Sequence, residues 1–577
     1  MKKKLALVLS LVLCCAMLSG CTTLTALMGK QMANAATDDT SGDTVTISRE
    51  EYEKYKQFDK LLELMDIVDE GYFEDYDKQS LLDGAADGLL SGLGDPYTFY
   101  YTPEEYAKLW EDDEGEYAGV GIQISTSYLT GICTISRVFD NGPAHEAGVR
   151  KGDILYKVED LYVNSSTIND AVDIMRGTPG TDVHVTFLRG TEEMAYTLTR
   201  ANINVNRIDS MMLTDEIGYI YLYDFAGDCA EKFETTVNKM VENGTKGLII
   251  DLRGNGGGIL QEAVKIVSMF VPKGTEVVRT KGRAATQENV FRTANDPILP
   301  DLPLAVLING NSASAAEIVA GSLQDLDRAV LIGQKSFGKG LVQTTRPLGY
   351  NTLLKLTTAK YYIPSGRCIQ AIDYSSRKQD GTVGKVADSL VREFTTRGGR
   401  KVYDGGGISP DIATEPQYIS RFAVTLLAMG FIEDFVDEYM QEHHTDTIDN
   451  RTFSITDADY DAFVKFMEGK EVPYESETRR VLKVLKEAAE NDLYSDLAQE
   501  ITAIEGDLKD DTQTNLHTYR KEIAETINND IVLRHSYQAG VIEHNLGDDT
   551  EVLRATEVLE NPTEYQEITT MQTSEKK

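Results

Sequence analysis

Apolar residues recur at helical spacing near the start of the chain, at Phe58, Leu61, Leu62, Met65 and Val68, and predict a helix across 50–69. A second helix is predicted over 81–90, stopped by Gly94-Asp95-Pro96. The pattern then changes to short strand-like runs at 120–124, 132–138 and 183–188, set apart by glycine and proline turns, with one helix at 166–176. From 217 onward the two periods alternate: extended 217–223, helical 228–243 closed by Gly244, extended 247–252, helical 259–270 stopped by Pro272, extended 304–309. Such alternation predicts an α/β core. After Pro416 the period is that of long amphipathic helices, 479–490 and 518–531 among them, in acidic surroundings. The chain therefore reads as a multidomain α+β protein, with an N-terminal helical segment at 49–116, a β-rich domain at 117–203, an α/β core at 204–414 and an all-helical domain at 415–577.

Ahead of these lie Lys2, Lys3 and Lys4, an apolar run over 5–18, and Ser19-Gly20-Cys21. The run is short for a membrane-spanning helix. Charged start, apolar middle and small residues predict a secretory signal at 1–20. Leu18-Ser19-Gly20-Cys21 resembles the bacterial lipobox, so Cys21 is expected to carry lipid and the small polar stretch 21–48 to act as a flexible tether. The resulting expectation is a bacterial extracytoplasmic lipoprotein, anchored to the bilayer through Cys21. Composition agrees with a folded chain: of 577 residues, 41% are hydrophobic and 26% charged, enough for ordinary cores and far from disorder or a multi-spanning protein. The balance of 57 basic against 93 acidic residues, net −36, excludes a protein that works by neutralising nucleic-acid phosphates.

The chemistry-bearing residues narrow the class. Cys133, Cys229 and Cys368, the cysteines beyond the signal and Cys21, have neither metal-ligand spacing nor an even disulfide framework, and are expected to be small apolar residues. The seven histidines, His145, His184, His443, His444, His517, His535 and His544, all lie outside the α/β core, which removes a Ser-His-Asp site there. No H-E-x-x-H motif exists. The core does contain Asn311-Ser312-Ala313-Ser314-Ala315-Ala316-Glu317 at a strand-to-helix junction, where free N–H groups and the helix dipole favour a developing oxyanion, though serines there can also simply cap the helix. Further along, Phe337-Gly338-Lys339-Gly340 sets one lysine between two glycines. To act as a general base that lysine must be neutral, so its pKa must fall from about 10.4 towards 7, a penalty of roughly 4 to 5 kcal/mol on the charged form. Burial among apolar groups such as Phe337 is expected to supply it. Gly333 to Lys339 also matches most of a phosphate-binding P-loop, but Gly340 replaces the final Ser or Thr and the following residues read as extended rather than helical. Asp457, Asp459, Asp461 and Glu468 fall at EF-hand spacing, yet Ala462 stands where glycine is required, so a helix capped by Thr456 is expected and no metal.

Two resemblances combine these features. Gly142-Pro143-Ala144 with Ala147-Gly148-Val149 and Lys151-Gly152-Asp153-Ile154-Leu155 resembles a PDZ domain, whose glycine-flanked loop would be Gly119-Val120-Gly121-Ile122. Gly92-Leu93-Gly94-Asp95-Pro96-Tyr97, Asp251-Leu252-Arg253-Gly254-Asn255-Gly256-Gly257-Gly258, the Ser312 and Phe337 segments, and Leu356-Thr357-Thr358-Ala359-Lys360-Tyr361-Tyr362 together resemble the carboxyl-terminal processing peptidases, over about residues 50–411. The resemblance implies a crotonase-like core and a serine endopeptidase with no cofactor. It implies Ser314 as nucleophile, Lys339 as general base and Gln343 as the residue orienting the lysine. The oxyanion hole would come from Gly257 or Gly258 together with Ala315. The PDZ loop would take protein substrates with apolar C-terminal tails, and the helical domain could support a homo-oligomer or a partner. A silent PDZ adaptor and a crotonase-type acyl-thioester enzyme are the alternatives. The adaptor needs neither Ser314 nor Lys339, and the thioester enzyme needs neither a secretory signal nor a PDZ domain.

Overall fold

The computed structural model describes residues 46–106, 116–126, 131–139, 142–204, 206–373, 383–416, 419–443, 446–491, 494–508 and 511–570. The predicted signal, Cys21 and nearly all of the tether lie outside the described residues. The chain divides into two compact units, Met1–Leu81 and Leu82–Lys577. In the first, the predicted helical stripe folds as two helices, Arg49–Tyr55 and Asp59–Gly71, the former opened by Ser48 in a capping box with Glu51. Neither helix buries a residue, and Leu62 and Ile67 remain 55% and 58% exposed.

The α/β core of the second unit is built on two sheets. Its elements, in chain order, are β1 (Phe99–Tyr101), β2 (Ile208–Met212), β3 (Ile217–Leu222), α1 (Cys229–Glu242), β4 (Gly247–Asp251), α2 (Leu260–Ser268), β5 (Glu276–Gly282), β6 (Glu288–Arg292), β7 (Leu304–Ile308), α3 (Ala315–Asp325), β8 (Val330–Gly333), β9 (Leu341–Pro347), β10 (Leu353–Tyr362) and β11 (Ile412–Ala413). The main sheet runs β2-β3-β4-β7-β8-β11, parallel except for the β2–β3 hairpin. Strands β4, β7 and β8 are buried along their whole length, as parallel strands covered on both faces must be. One face packs on α1, α2 and α3 through Phe233, Val267 and Val319. The other is closed from the far end of the chain. Val552, Ala555, Val558 and Leu559 of the helix Thr550–Glu560 pack on Ile217, Tyr219, Ile249, Ala305 and Leu307. Among the described residues the helical region carries helices and no strand, as expected, and part of it also completes the core.

The second sheet is antiparallel, β1-β10-β5-β6, with β9 also paired to β10. It brings Phe99–Tyr101, directly after the Gly94-Asp95-Pro96 turn, alongside the strand opposite β9.

The β-rich domain forms a sheet of Ile122–Thr126, Cys133–Val138, Ile154–Val158, Asp182–Arg189 and Glu192–Thr199 in that spatial order, with the helix Ile168–Met175 beside it. Ile122–Thr126 is an edge strand. The helices Arg421–Ala428, Phe431–His443, Asp457–Phe466, Thr512–Thr518 and Arg520–Leu546 gather around Phe422, Phe435, Phe463 and Ile527, and Glu477–Asn491 and Ser495–Asp507 pack on each other through Ala489, Ala498 and Ile501. Asp457–Phe466 is a helix capped by Thr456 in a capping box with Asp459, so the EF-hand-like spacing lies on a helix and not on a loop. The helix Arg520–Leu546 is interrupted at Tyr537 (φ 56°, ψ −163°), whose ring meets that of His145 at 4.4 Å, while Lys151 pairs with Asp530 at 2.5 Å.

Candidate active site

Ser314 stands between the end of β7 and the start of α3 with φ 55° and ψ −113°. A non-glycine residue there carries backbone strain on the order of 1–3 kcal/mol and persists only if its surroundings hold it. They do. Ser312 is fully buried, donates its hydroxyl to the carbonyl of Leu252 at 2.7 Å and accepts the N–H of Asn309 at 3.0 Å. Asn255, also fully buried, accepts the N–H of Ala313 on its carbonyl at 2.9 Å, donates its amide to the carbonyl of Leu222 at 2.7 Å, and accepts the N–H of Gly257 on Oδ1 at 2.8 Å. The Ser312 hydroxyl is therefore used in fixing the turn, whereas Ser314 is partly exposed.

Glu317, one turn into α3 and without solvent exposure, ties this turn to the lysine loop. Its Oε2 accepts the backbone N–H groups of Ser314 and Lys339, each at 2.9 Å. Its Oε1 accepts the Ser336 hydroxyl at 2.6 Å and the Gly338 N–H at 2.7 Å. Burial pushes the Glu317 carboxyl up from its ordinary range, and these donors act against that shift. Tyr361 of β10 closes the same join from the other side, with its hydroxyl 2.5 Å from the carbonyl oxygen of Lys339 and 3.1 Å from that of Ser314.

The flanking glycines let the lysine loop lie flush against its neighbours. A Cβ on Gly338 (φ 86°) would stand 2.5 Å from Ala371 Cβ, and one on Gly340 would stand 2.8 Å from the backbone nitrogen of Gln370. The loop runs into strand β9 rather than a helix, so the P-loop reading has no helix to present to a phosphate. Phe337 does not bury the lysine as expected: it is 48% exposed, because the loop turns its ring outward. The cover comes instead from Tyr97, whose ring centroid lies 4.6 Å from Lys339 Nζ. Desolvation lowers the lysine pKa from its ordinary value, the nearby Lys355 lowers it further, and Glu317 and Asp95 oppose both. Gln343, on β9, donates to Thr357 Oγ1 at 3.3 Å.

Opposite the serine turn, Gly257 (φ 101°) is packed so closely that a Cβ would stand 2.7 Å from Ser314 Cβ and 2.9 Å from the Ala315 nitrogen. Its own N–H is taken by Asn255. Gly258 (φ 144°) is exposed, and Ala315 opens α3, where a helix leaves its first N–H groups without intrahelical partners.

Residues 216–376 match the family model "Peptidase family S41". Flanking matches are to "PDZ domain" at 134–189, "Activating protease CtpB N-terminal domain" at 18–105 and "Probable PDZ-protease, C-terminal helical domain" at 422–559. A "Carboxy-terminal-processing protease" of Bartonella bacilliformis is 37% identical over 328 residues, 56% of this chain and 74% of that protein. The chain belongs to the carboxy-terminal processing proteases of peptidase family S41. A "Probable CtpA-like serine protease" of Staphylococcus aureus is 32% identical over 54% of this protease and 62% of that protein. Among solved structures, a photosystem II D1 C-terminal processing protease aligns with a TM-score of 0.35 at 23% identity, covering 65% of this chain and 95% of that one.

In the PDZ domain of the protease, Gly119 pairs with Ala201, and Gly121 (φ 82°) packs against Gly142 and Ile203. Val120 is buried in the domain's core with Ile122 packed beside it, so the Val120 side chain does not stand at the surface of the loop. Cys133 and Cys229 are buried and Cys368 partly so, all three as free thiols, and burial pushes Cys229 up to about 12. Among the described residues no group of three or more His, Cys, Asp or Glu is placed to hold a metal ion, and no helix is long and apolar enough to cross a membrane. Sequence reasoning gave no role to Glu317, Asn255, Tyr361 or Tyr97. The one available signal was Glu317 three residues into the helix after Ser314, the spacing of a capping box.

Proposed function

We propose that this serine protease cleaves by a Ser314–Lys339 dyad. Ser314 Oγ attacks the scissile carbonyl carbon while its proton passes to neutral Lys339 Nζ. The carbonyl π pair moves onto oxygen, where the N–H groups of Gly258 and Ala315 receive it. Gly258 is chosen over Gly257 because the Gly257 N–H is already bonded to Asn255. A single such donor typically contributes about 10²–10³-fold in kcat. Collapse expels the amine, which takes the proton back from Lys339; water, deprotonated by the same nitrogen, then attacks the acyl carbon, and Lys339 returns that proton to Ser314 Oγ as the ester bond breaks. Gln343, through its bond to Thr357, would steady the strand that leads away from the lysine. The observation that carries the reading is the one carboxylate, Glu317, that receives the backbone N–H groups of both proposed partners. Ser314→Ala and Lys339→Ala should each abolish hydrolysis of an unstructured polypeptide with circular dichroism unchanged. Ser312→Ala should lower Tm, since it strands buried groups at a cost of about 1–3 kcal/mol, yet retain activity. A dead Ser312→Ala beside an active Ser314→Ala would overturn the assignment.

The remaining features form one further proposal. Substrates are proteins with apolar C-terminal tails, added as a strand to the edge Ile122–Thr126 with the carboxylate at the backbone N–H groups of Gly119-Val120-Gly121-Ile122. Lipid on Cys21 holds the protease at the outer side of a bacterial membrane, with 21–48 as the tether. Mass spectrometry of the mature N-terminus tests the anchor: an unmodified Cys21, or cleavage elsewhere, would overturn it.

A further inference from the structure

The segment Gly94 to Thr98 belongs to neither the serine turn nor the lysine loop, yet it reaches Lys339. Asp95 folds the segment by accepting the Tyr97 N–H at 3.1 Å and the Thr98 hydroxyl at 2.6 Å. Thr98 is buried, and its Oγ1 accepts the N–H of Thr357 on β10 at 3.1 Å. Thr357 Oγ1 in turn accepts from Gln343. Beyond Thr98 the chain continues as β1, in register with β10 at Phe99–Lys355 and Tyr101–Leu353. Tyr97 is thus fixed at both ends, and its ring face lies over Lys339 Nζ at 4.6 Å.

We infer that Tyr97 is the positioning residue for the lysine base: its ring seats the Lys339 nitrogen, and its bulk keeps water from that nitrogen. The inference rests on the dyad reading above. The two effects of the ring have opposite signs. Its negative π face stabilises the ammonium, a cation–π contact that favours the charged form. Its bulk removes water, which disfavours the charged form. Other groups acting on Lys339 come from three directions: Lys355 on β10, Glu317 on α3 and Asp95 at the start of the segment. Tyr361 of β10 holds the lysine's backbone carbonyl. None of these covers the nitrogen with a ring. Burial as a whole is the largest influence on the lysine, and the ring of Tyr97 is part of that cover, so removing the ring entirely lets water reach the charged form.

This separates the variants by sign. The experiment is the pH profile of kcat/KM for cleavage of one unstructured polypeptide by the full-length protease and by Tyr97→Phe, Tyr97→Leu and Tyr97→Ala. Tyr97→Phe keeps ring and bulk, so the acid limb should stay in place. Tyr97→Leu keeps cover without a π face, and the limb should move to lower pH by about half a unit. Tyr97→Ala admits water, and the limb should move to higher pH, with a lower plateau because the nitrogen has lost its seat. Identical acid limbs in Tyr97→Leu and the parent enzyme, with Lys339→Ala inactive, would overturn the inference and leave the dyad standing. An active Lys339→Ala would instead overturn the dyad. If Tyr97→Ala fails to fold, the Phe and Leu pair decides alone.

Discussion

Glu317 accepts the backbone N–H of Lys339 at 2.9 Å across 22 positions of sequence. Each of its oxygens receives two donors. In Glu317→Gln one oxygen becomes an NH₂ group facing two donors, and leaving buried donors unpaired costs roughly 1–3 kcal/mol each. The expected outcome is a lower Tm together with a fall in kcat of about tenfold or more and little change in KM, because the carboxylate sets the geometry of the site and does not face substrate. Calorimetry and steady-state kinetics check it. An enzyme that keeps full kcat would show that the bridge is dispensable.

Gly257 and Gly256 are neighbours with opposite surroundings. A Cβ at 257 would collide with Ser314 Cβ at 2.7 Å and the Ala313 carbonyl at 2.8 Å, in a backbone conformation that L side chains rarely adopt, whereas one at 256 meets nothing within 4 Å. Gly257→Ala should lower kcat by about 10² or more by displacing the serine turn, and Gly256→Ala should fold with an unchanged Tm. Equal activities of the two variants would contradict a tight approach of the glycine turn to the serine.

Lys355 bears on the pH dependence. Burial and the positive charge of Lys355 both disfavour a charged Lys339, so its folded pKa lies below the ordinary lysine value, and the neutral base survives to lower pH than a free lysine would. Activity should therefore be lost on acidification through that lowered pKa and be retained above it. Lys355→Glu replaces a repelling charge by an attracting one and should move the acid limb of kcat/KM to higher pH. A limb that moves the other way, or a rate flat from about pH 9 to about pH 5, would contradict a lysine base.

The edge strand Ile122–Thr126 and its preceding loop predict a dependence on the substrate's free carboxylate. Amidating the C-terminus of an apolar-tailed substrate should slow cleavage, chiefly through KM, while equal changes well upstream should matter less. Equal rates for free-acid and amidated versions would refute tethering by the tail and leave the dyad untouched.

Much of this was legible in the sequence where a local period or a local spacing carried it. The alternation over 217–309 matched β3, α1, β4, α2 and β7 to within a residue or two. The Ser314 junction and the glycine-flanked Lys339 lay where composition placed them. What was not legible depended on contacts between distant segments. No period announces that Phe99–Tyr101, a three-residue strand, will pair with β10, or that its preceding turn will carry Tyr97 to the lysine. Phe337 misled because an aromatic residue near a lysine in sequence reads as cover, whereas Gly338 between them takes a positive φ of 86° and the Phe337 ring is left outside. Near the N-terminus the helical period was correct, but a period reports an apolar face, and Leu61 and Leu62, both exposed, show that such a face need not be buried within its own unit.

The helix Thr550–Glu560 closes the second face of the sheet that leads to Ser314, so the last segments of the chain to be made complete a core begun far earlier. When the serine and lysine segments have left the ribosome, Ile217, Ile249, Ala305 and Leu307 still present an open apolar plane, because Val552, Val558 and Leu559 have yet to be made. A nascent or prematurely terminated chain thus lacks the packing that would stabilise the sheet under its catalytic turn. The strand end that carries Ser314 thus draws part of its support from residues more than 230 positions later in the chain, and a chain cut short before Thr550 would leave an apolar sheet face in water.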